Sequence, residues 1–186
     1  LMAVDEQTIG AVVRIVGKGH FKHLMEISQK LEVAELRDLM GKLKVIGETY
    51  GDDIARKVLS VLWKLDKAVV KELVTSPTAM ENIAKILKAG KVRSVVQLRN
   101  VLANEALFTN PALQRKELLE MIAEVAHATG LGTVLNLLNH PIYSFRKGAL
   151  YEIQVAAYLK RNGYEVLAFR RWLSTASGKT DLDIEL

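Results

Sequence analysis

Apolar residues recur every three or four positions through most of the first 140 residues, the spacing that lines up one face of an α-helix. A first segment over 5–16 is broken by Gly17-Lys-Gly19; segments over 20–31 and 32–46 follow, and Gly47 to Gly51 ends them. Asp52 or Asp53 is placed to cap the next helix. The strongest stripe joins Ile54, Val58, Leu62, Leu65, Val69 and Leu73 and predicts one helix over 54–74. Leu59, Val61, Trp63 and Val70 widen it, so this helix is expected at the centre of a bundle. In Thr75-Ser76-Pro77, Ser76 reads as an N-cap and Pro77 as the first position of a helix over 77–89. Helices over 92–106, from Asn110-Pro111 to Thr129, and over 133–138 complete the series, with Gly130 as a stop. Distances between the breaks are irregular, which favours an irregular bundle over a solenoid.

After Asn139-His-Pro141 the pattern changes. Residues 149–161 form a helix in which Ala149, Leu150, Ile153, Val155, Ala156, Ala157 and Leu159 make one broad apolar arc. A strand follows, then the stretch RRWLSTASGKT as a loop, then DLDIEL, where Leu182, Ile184 and Leu186 alternate with Asp181, Asp183 and Glu185 as in a second strand. The expectation is a mainly α protein: an α-helical domain over 1–140, and over 141–186 the helix-strand-strand start of a small α/β domain.

Composition adds limits. The chain has 186 residues, 49% hydrophobic and 25% charged, which is enough to bury a core and is typical of ordered proteins. Without cysteine there are no disulfides and no thiolate metal ligands. The first residues lack a signal-peptide pattern, and no apolar run approaches the ~18 residues of a membrane span. The expectation is a cytoplasmic protein with no membrane partner. A net charge of +5 favours polyanionic partners. The basic residues concentrate in two sets. Lys85, Lys88, Lys91, Arg93 and Arg99 fall in a stretch free of acids between Glu81 and Glu105. Arg146, Lys147, Lys160, Arg161, Arg170 and Arg171 surround the C-terminal segment. Either set can neutralise phosphates or simply be a solvated face.

Glu152 interrupts the apolar arc of its helix. A carboxylate there loses several kcal/mol of hydration, roughly, unless it is protonated, paired or bound to a cation. The alternative is a partly exposed acid that the helix dipole favours. Asp181, Asp183 and Glu185 are either cation ligands or the charged face of an edge strand. His20, His23 and Glu26 are spaced three apart on one helix, a poor match to zinc-binding spacing. Neither GxxxxGK[ST], GxGxxG nor a serine nucleophile elbow occurs, which argues against a nucleotide-hydrolysing motor.

Three pieces, Gly148-x-x-x-Glu152 on a helix, the turn Gly163-Tyr-Glu-Val-Leu into a strand, and Gly178-Lys-Thr-Asp-Leu-Asp183-Ile, resemble the restriction-endonuclease-like superfamily of PD-(D/E)xK nucleases. The likeness is to archaeal junction-resolvase and Mrr-like members and covers about a fifth of the chain. It implies Mg²⁺ held by Glu152 and Asp183, with Asp181 as the second choice for the strand acid. It also implies DNA as substrate and a following strand carrying Glu-x-Lys. The sequence reaches Leu186 before that motif, and a strand without a turn signal is expected to continue in a longer chain or to be completed by another subunit. Gln154 and Tyr158 have the Gln-x-x-x-Tyr spacing of RecB-like members, but on the helix before the strands instead of after them.

The expected function is therefore DNA binding with a Mg-dependent, endonuclease-like domain that cleaves phosphodiesters. The basic residues Lys85, Lys88, Lys91, Arg93, Arg99, Arg146, Lys147, Arg170 and Arg171 would contact nucleic acid. Two other readings stay open: a non-catalytic helical module that binds protein or nucleic acid, as on a mobile genetic element, and an architectural protein of plasmid, phage or capsid type.

Overall fold

α-Helices dominate the computed structural model, which describes residues 5–92, 95–109, 113–175 and 178–186, with side chains at 170–183 excepted. The protein is mainly α, with one two-stranded sheet among the described residues. The chain divides into two compact units, Leu1–Lys88 and Ala89–Leu186. The change from helices alone to helix plus strand, expected near Pro141, falls inside the second.

The first unit holds α1 (Glu6–Ser28), α2 (Val33–Tyr50), α3 (Asp52–Trp63) and α4 (Lys67–Thr75), with α5 (Ala79–Ala89) running to its boundary. α1 packs on α2 and α3, and α2 packs on α3 and α4. The layer between them is aliphatic: Val12, Ile15, Leu39, Leu43, Val58 and Leu62 are all buried. The break foreseen at Gly17 is a bend within α1, where Gly17 takes φ 62° and ψ 175°. α2 continues through Gly47 and stops at Gly51. Ser76 is well placed as foreseen, its hydroxyl accepting from the amide of Ala79 at 3.3 Å, but the helix starts at Ala79 and not at Pro77.

The single helix expected over 54–74 is two helices. Its apolar stripe is real, for Ile54, Val58, Leu62, Leu65, Val69 and Leu73 are all buried. The chain nonetheless leaves the helix after Trp63. The ammonium of Lys30 donates to the carbonyls of Trp63 at 2.9 Å and Leu65 at 2.7 Å, so the last residue of α3 and the turn after it gain a charged partner in place of the next helical turn.

The second unit contains α6 (Val95–Ala103), a 3₁₀ turn (Glu105–Leu107), α7 (Arg115–Glu124), α8 (Leu131–Leu138), α9 (Tyr143–Arg161), and the strands β1 (Ala168–Thr175) and β2 (Gly178–Glu185). α9 packs on α7 and α8, and α6 packs on α8. The expected cap at Asn110-Pro111 lies outside the described residues. α7 begins at a capping box, with the Gln114 amide donating to the Glu117 carboxylate at 2.8 Å. It ends at Glu124 and not at Thr129, because Thr129 is drawn into extended pairing. Its amide donates to the Leu167 carbonyl at 2.9 Å, and its carbonyl accepts from the Phe169 amide at 2.7 Å. Thr129 thus flanks β1 in parallel.

β1 and β2 are antiparallel, in a register that pairs Ala168 with Glu185, Phe169 with Ile184, Trp172 with Asp181 and Thr175 with Gly178. Most of the stretch read as a loop is therefore strand. β1 lies beside α8, and β2 lies beside α9.

Candidate functional site

The geometry of α9 is set at both ends. At its start the guanidinium of Arg146 donates to the carbonyls of His140 at 2.8 Å and Pro141 at 2.7 Å, and the Ile142 amide donates to the imidazole Nδ1 of His140 at 3.2 Å. At its end the Tyr164 amide reaches back to the Leu159 carbonyl, and the Gly163 amide to that of Lys160, both at 3.1 Å. This is a Schellman closure, which needs a left-handed residue, and Gly163 supplies it with φ 89°. Lys160 and Arg161 lie in the last turn, where the helix dipole favours cations.

Glu152 lies on the inward arc of this helix with Ala149, Ile153, Ala156 and Ala157, and only 7% of its surface is exposed. Among the described residues it is the one buried carboxylate. Asp181 and Asp183 belong to β2, the strand beside α9. Their side chains lie outside the described residues, as do those of Arg170 and Arg171. Among the described residues, no group of three or more His, Asp and Glu is arranged to hold a metal ion.

The remaining basic positions are in varied environments. Lys85 is bridged to Glu81 at 3.0 Å, and Glu81 also accepts from the Tyr50 hydroxyl. Hydrogen bonding to Glu81 raises the pKa of Lys85 above the ordinary lysine value. Lys88 and Lys91 are exposed, and Arg93 lies outside the described residues. Arg99 is half-buried, and that burial lowers its pKa. Arg146 is anchored as above, whereas Lys147 one residue on is exposed. Arg161 faces Glu124, its Nε donating to both carboxylate oxygens at 3.0 and 2.9 Å, with Glu120 at 3.9 Å. That pairing raises the pKa of Arg161.

One histidine of α1 packs against tryptophan and the other packs against that histidine. His23 stacks on Trp63 with centroids 3.8 Å apart, and His20 meets His23 edge-on at 5.2 Å. The Trp63 indole N–H donates to the Glu26 carboxylate, and this bond is the main reason that the pKa of Glu26 is lowered.

The side of α9 opposite the apolar arc carries exposed aromatic residues. Tyr143, Tyr151 and Tyr158 are 66%, 67% and 65% exposed. Together with Lys147 and Gln154 they fall within about 80° of arc at ~100° per residue. This stripe faces away from Glu152. A groove of about 290 Å³ runs between its first half and residues 106–109. The spacing 143, 147, 151, 154, 158 was available in the sequence as a signal.

No protein-family model, curated protein or solved structure matches this chain.

Proposed function

We propose that this chain binds nucleic acid, DNA above all, and that α9 and β2 form a nuclease-like site for Mg²⁺. The observation that carries this reading is the burial of Glu152 on the side of α9 that packs into the unit, with β2 and its Asp181 and Asp183 running beside that helix. An oxygen-only donor set of this kind is what a hard divalent cation selects. Glu152 and Asp183 would hold the ion, with Asp181 the second strand acid. Such an ion supplies a Lewis acid that eases deprotonation of water and offsets phosphate charge. The helix fixes the position of the Glu152 carboxylate, and the aliphatic residues around it exclude water from that side.

The test is a thermal melt of the wild-type chain and of Glu152→Gln in rising Mg²⁺ or Mn²⁺, beside an assay for nicking of supercoiled plasmid. A ligand that binds only the folded state raises the transition by mass action, so the wild type should melt higher with metal and the variant should not. A wild-type transition indifferent to both ions, with no nicking, removes the metal site.

A second reading, a non-catalytic helical binding module, is favoured by the internal use of cations: Lys30, Arg56 and Arg115 all donate to backbone carbonyls. On that reading Glu152→Ala leaves binding to the partner unchanged.

A further inference from the structure

We propose that the outward stripe of α9 and the adjoining groove bind single-stranded nucleic acid, with Tyr143 and Tyr151 stacking on bases and Lys147 and Arg146 meeting phosphates. The surface is distinct from the face that buries Glu152. The proposal rests on the nucleic-acid part of the reading above and names its strandedness and its contact residues.

The residue types select the partner. Tyr143 and Tyr151 rank among the most exposed large side chains of the described residues, and they stand two turns apart on a rigid helix. At ~1.5 Å rise per residue their rings are about 12 Å apart along the axis, room for intervening nucleotides of an extended strand. Bases present an open π-face only when they are not paired and stacked within a duplex, so aromatic platforms of this kind suit single strands.

Charge points the same way. Lys147 lies between the two tyrosines on the stripe, and Arg146 also lines the groove, with its guanidinium 6.0 Å from the centroid of the Tyr143 ring. Among the described residues, no carboxylate lines the groove. The nearest acid in sequence on the facing wall, Glu105, is bridged to Arg115. A cationic, aromatic and amide-bearing surface complements a polyanion with hydrogen-bonding bases better than it complements an apolar peptide. At the far end of the helix, Arg161 is held by Glu124 and Glu120, so the cationic track is confined to the first half of α9.

The test is fluorescence anisotropy with a labelled oligothymidylate of ~15 nucleotides and a duplex of the same length, in a salt series. The proteins are the wild type, Tyr143→Ala/Tyr151→Ala, Tyr143→Phe/Tyr151→Phe and Lys147→Glu, each checked for an unchanged circular dichroism melt. The wild type should bind the single strand with a log–log salt slope near −1.4, about 0.7 for each of two phosphates. The alanine pair should weaken binding about tenfold or more, whereas the phenylalanine pair, which keeps both ring faces, should stay within about threefold of wild type. Lys147→Glu should also weaken binding, a readout that does not depend on the tyrosine variants folding.

Single-strand affinity unchanged in the alanine pair and in Lys147→Glu overturns the proposal. So does duplex binding that ignores all of these substitutions with no single-strand binding, a result that leaves the broader nucleic-acid reading in place. Binding to neither probe overturns both. A wild-type dimer in sedimentation that the alanine pair converts to monomer, without nucleic-acid binding, assigns the stripe to a second copy of the chain and also overturns the proposal. Loss of the metal response at Glu152 alone affects only the nuclease-like site.

Discussion

The carbonyl oxygen of Phe169 occupies space that a side chain on Gly130 would need: an ideal β-carbon there would lie 2.3 Å from that oxygen. Gly130 also has φ 85°, in the left-handed region that other residues enter at a cost of about 1–2 kcal/mol. It follows directly on Thr129, the residue paired with β1, and opens α8. The absence of a side chain at Gly130 therefore lets the hairpin dock against the helices. Gly130→Ala should destabilise the second unit by roughly 2–4 kcal/mol, combining backbone strain with the clash. Chemical denaturation followed by far-ultraviolet circular dichroism checks this, and a loss under about 1 kcal/mol would mean that β1 moves aside freely.

Lys30 sits at the break between α3 and α4 with both of its carbonyl acceptors supplied by that break. Replacing it with methionine keeps the aliphatic stem but leaves the two carbonyls without their charged donor. Lys30→Met should lower the stability of the first unit by about 1–3 kcal/mol. Denaturation followed by tryptophan fluorescence reports on it, since Trp63 is the last residue of α3. A neutral result would show that local sequence, without Lys30, is enough to end the helix.

These two residues mark where the sequence is readable and where it is not. Helices follow from local spacing, so α2, α5 and α8 were foreseen to within a few residues, whereas α9 begins at Tyr143, well before the expected start at residue 149. The stripe through Ile54 and Leu73 was correct as a buried face and incorrect as a single helix, because the donor that ends α3 is more than thirty residues away in sequence. The same holds for other cations. Lys42 donates to the Val74 and Ser76 carbonyls near the end of α4, and Arg56 donates to that of Ile15 before the bend in α1. Net charge alone cannot separate cations engaged with carbonyls from those that face solvent. At the site, the burial of Glu152 was legible because an acid interrupts an apolar arc. The tyrosine stripe was equally regular, but an inventory of apolar positions does not look for aromatic residues on the exposed side.

Acid should weaken the first unit, and the sign follows from its carboxylates. Glu35 has its pKa lowered from an ordinary 4.5, chiefly by the Glu32 backbone amide and then by Lys71. Glu81 is lowered by Lys85 and Tyr50, and Asp53, from 3.8, by Lys57. A carboxylate whose folded pKa is depressed binds fewer protons than its unfolded counterpart in the window between the two values. Its contribution is complete above the unfolded pKa and is lost as pH falls through the folded one. The urea midpoint should be flat with respect to these groups from pH 7 to 5 and should decline below about 4.5. Glu35→Gln should start lower at pH 7 and decline less steeply. A wild-type midpoint that rises on acidification contradicts this account.

Arg115 holds the wall of the groove beside α9 and is 8% exposed. Its Nε donates to the Leu102 carbonyl at 2.8 Å, its Nη2 pairs with Glu105, and its guanidinium lies 4.4 Å from the centroid of the Phe108 ring. One planar group thus ties the end of α6 to the 3₁₀ turn and to the aromatic residue after it. Lysine keeps the charge but lacks the flat fork that makes these contacts together. Arg115→Lys should therefore cost about 1–3 kcal/mol, with Arg115→Ala at the upper end or beyond. If the loop over 105–109 shapes the strand-binding groove, Arg115→Lys should also reduce single-strand affinity under conditions where the chain remains folded, although Arg115 itself does not line the groove. Anisotropy and denaturation on the same preparation separate the two effects. Loss of stability with affinity unchanged would leave Tyr143, Lys147 and Tyr151 as the binding surface and remove the opposite wall from it.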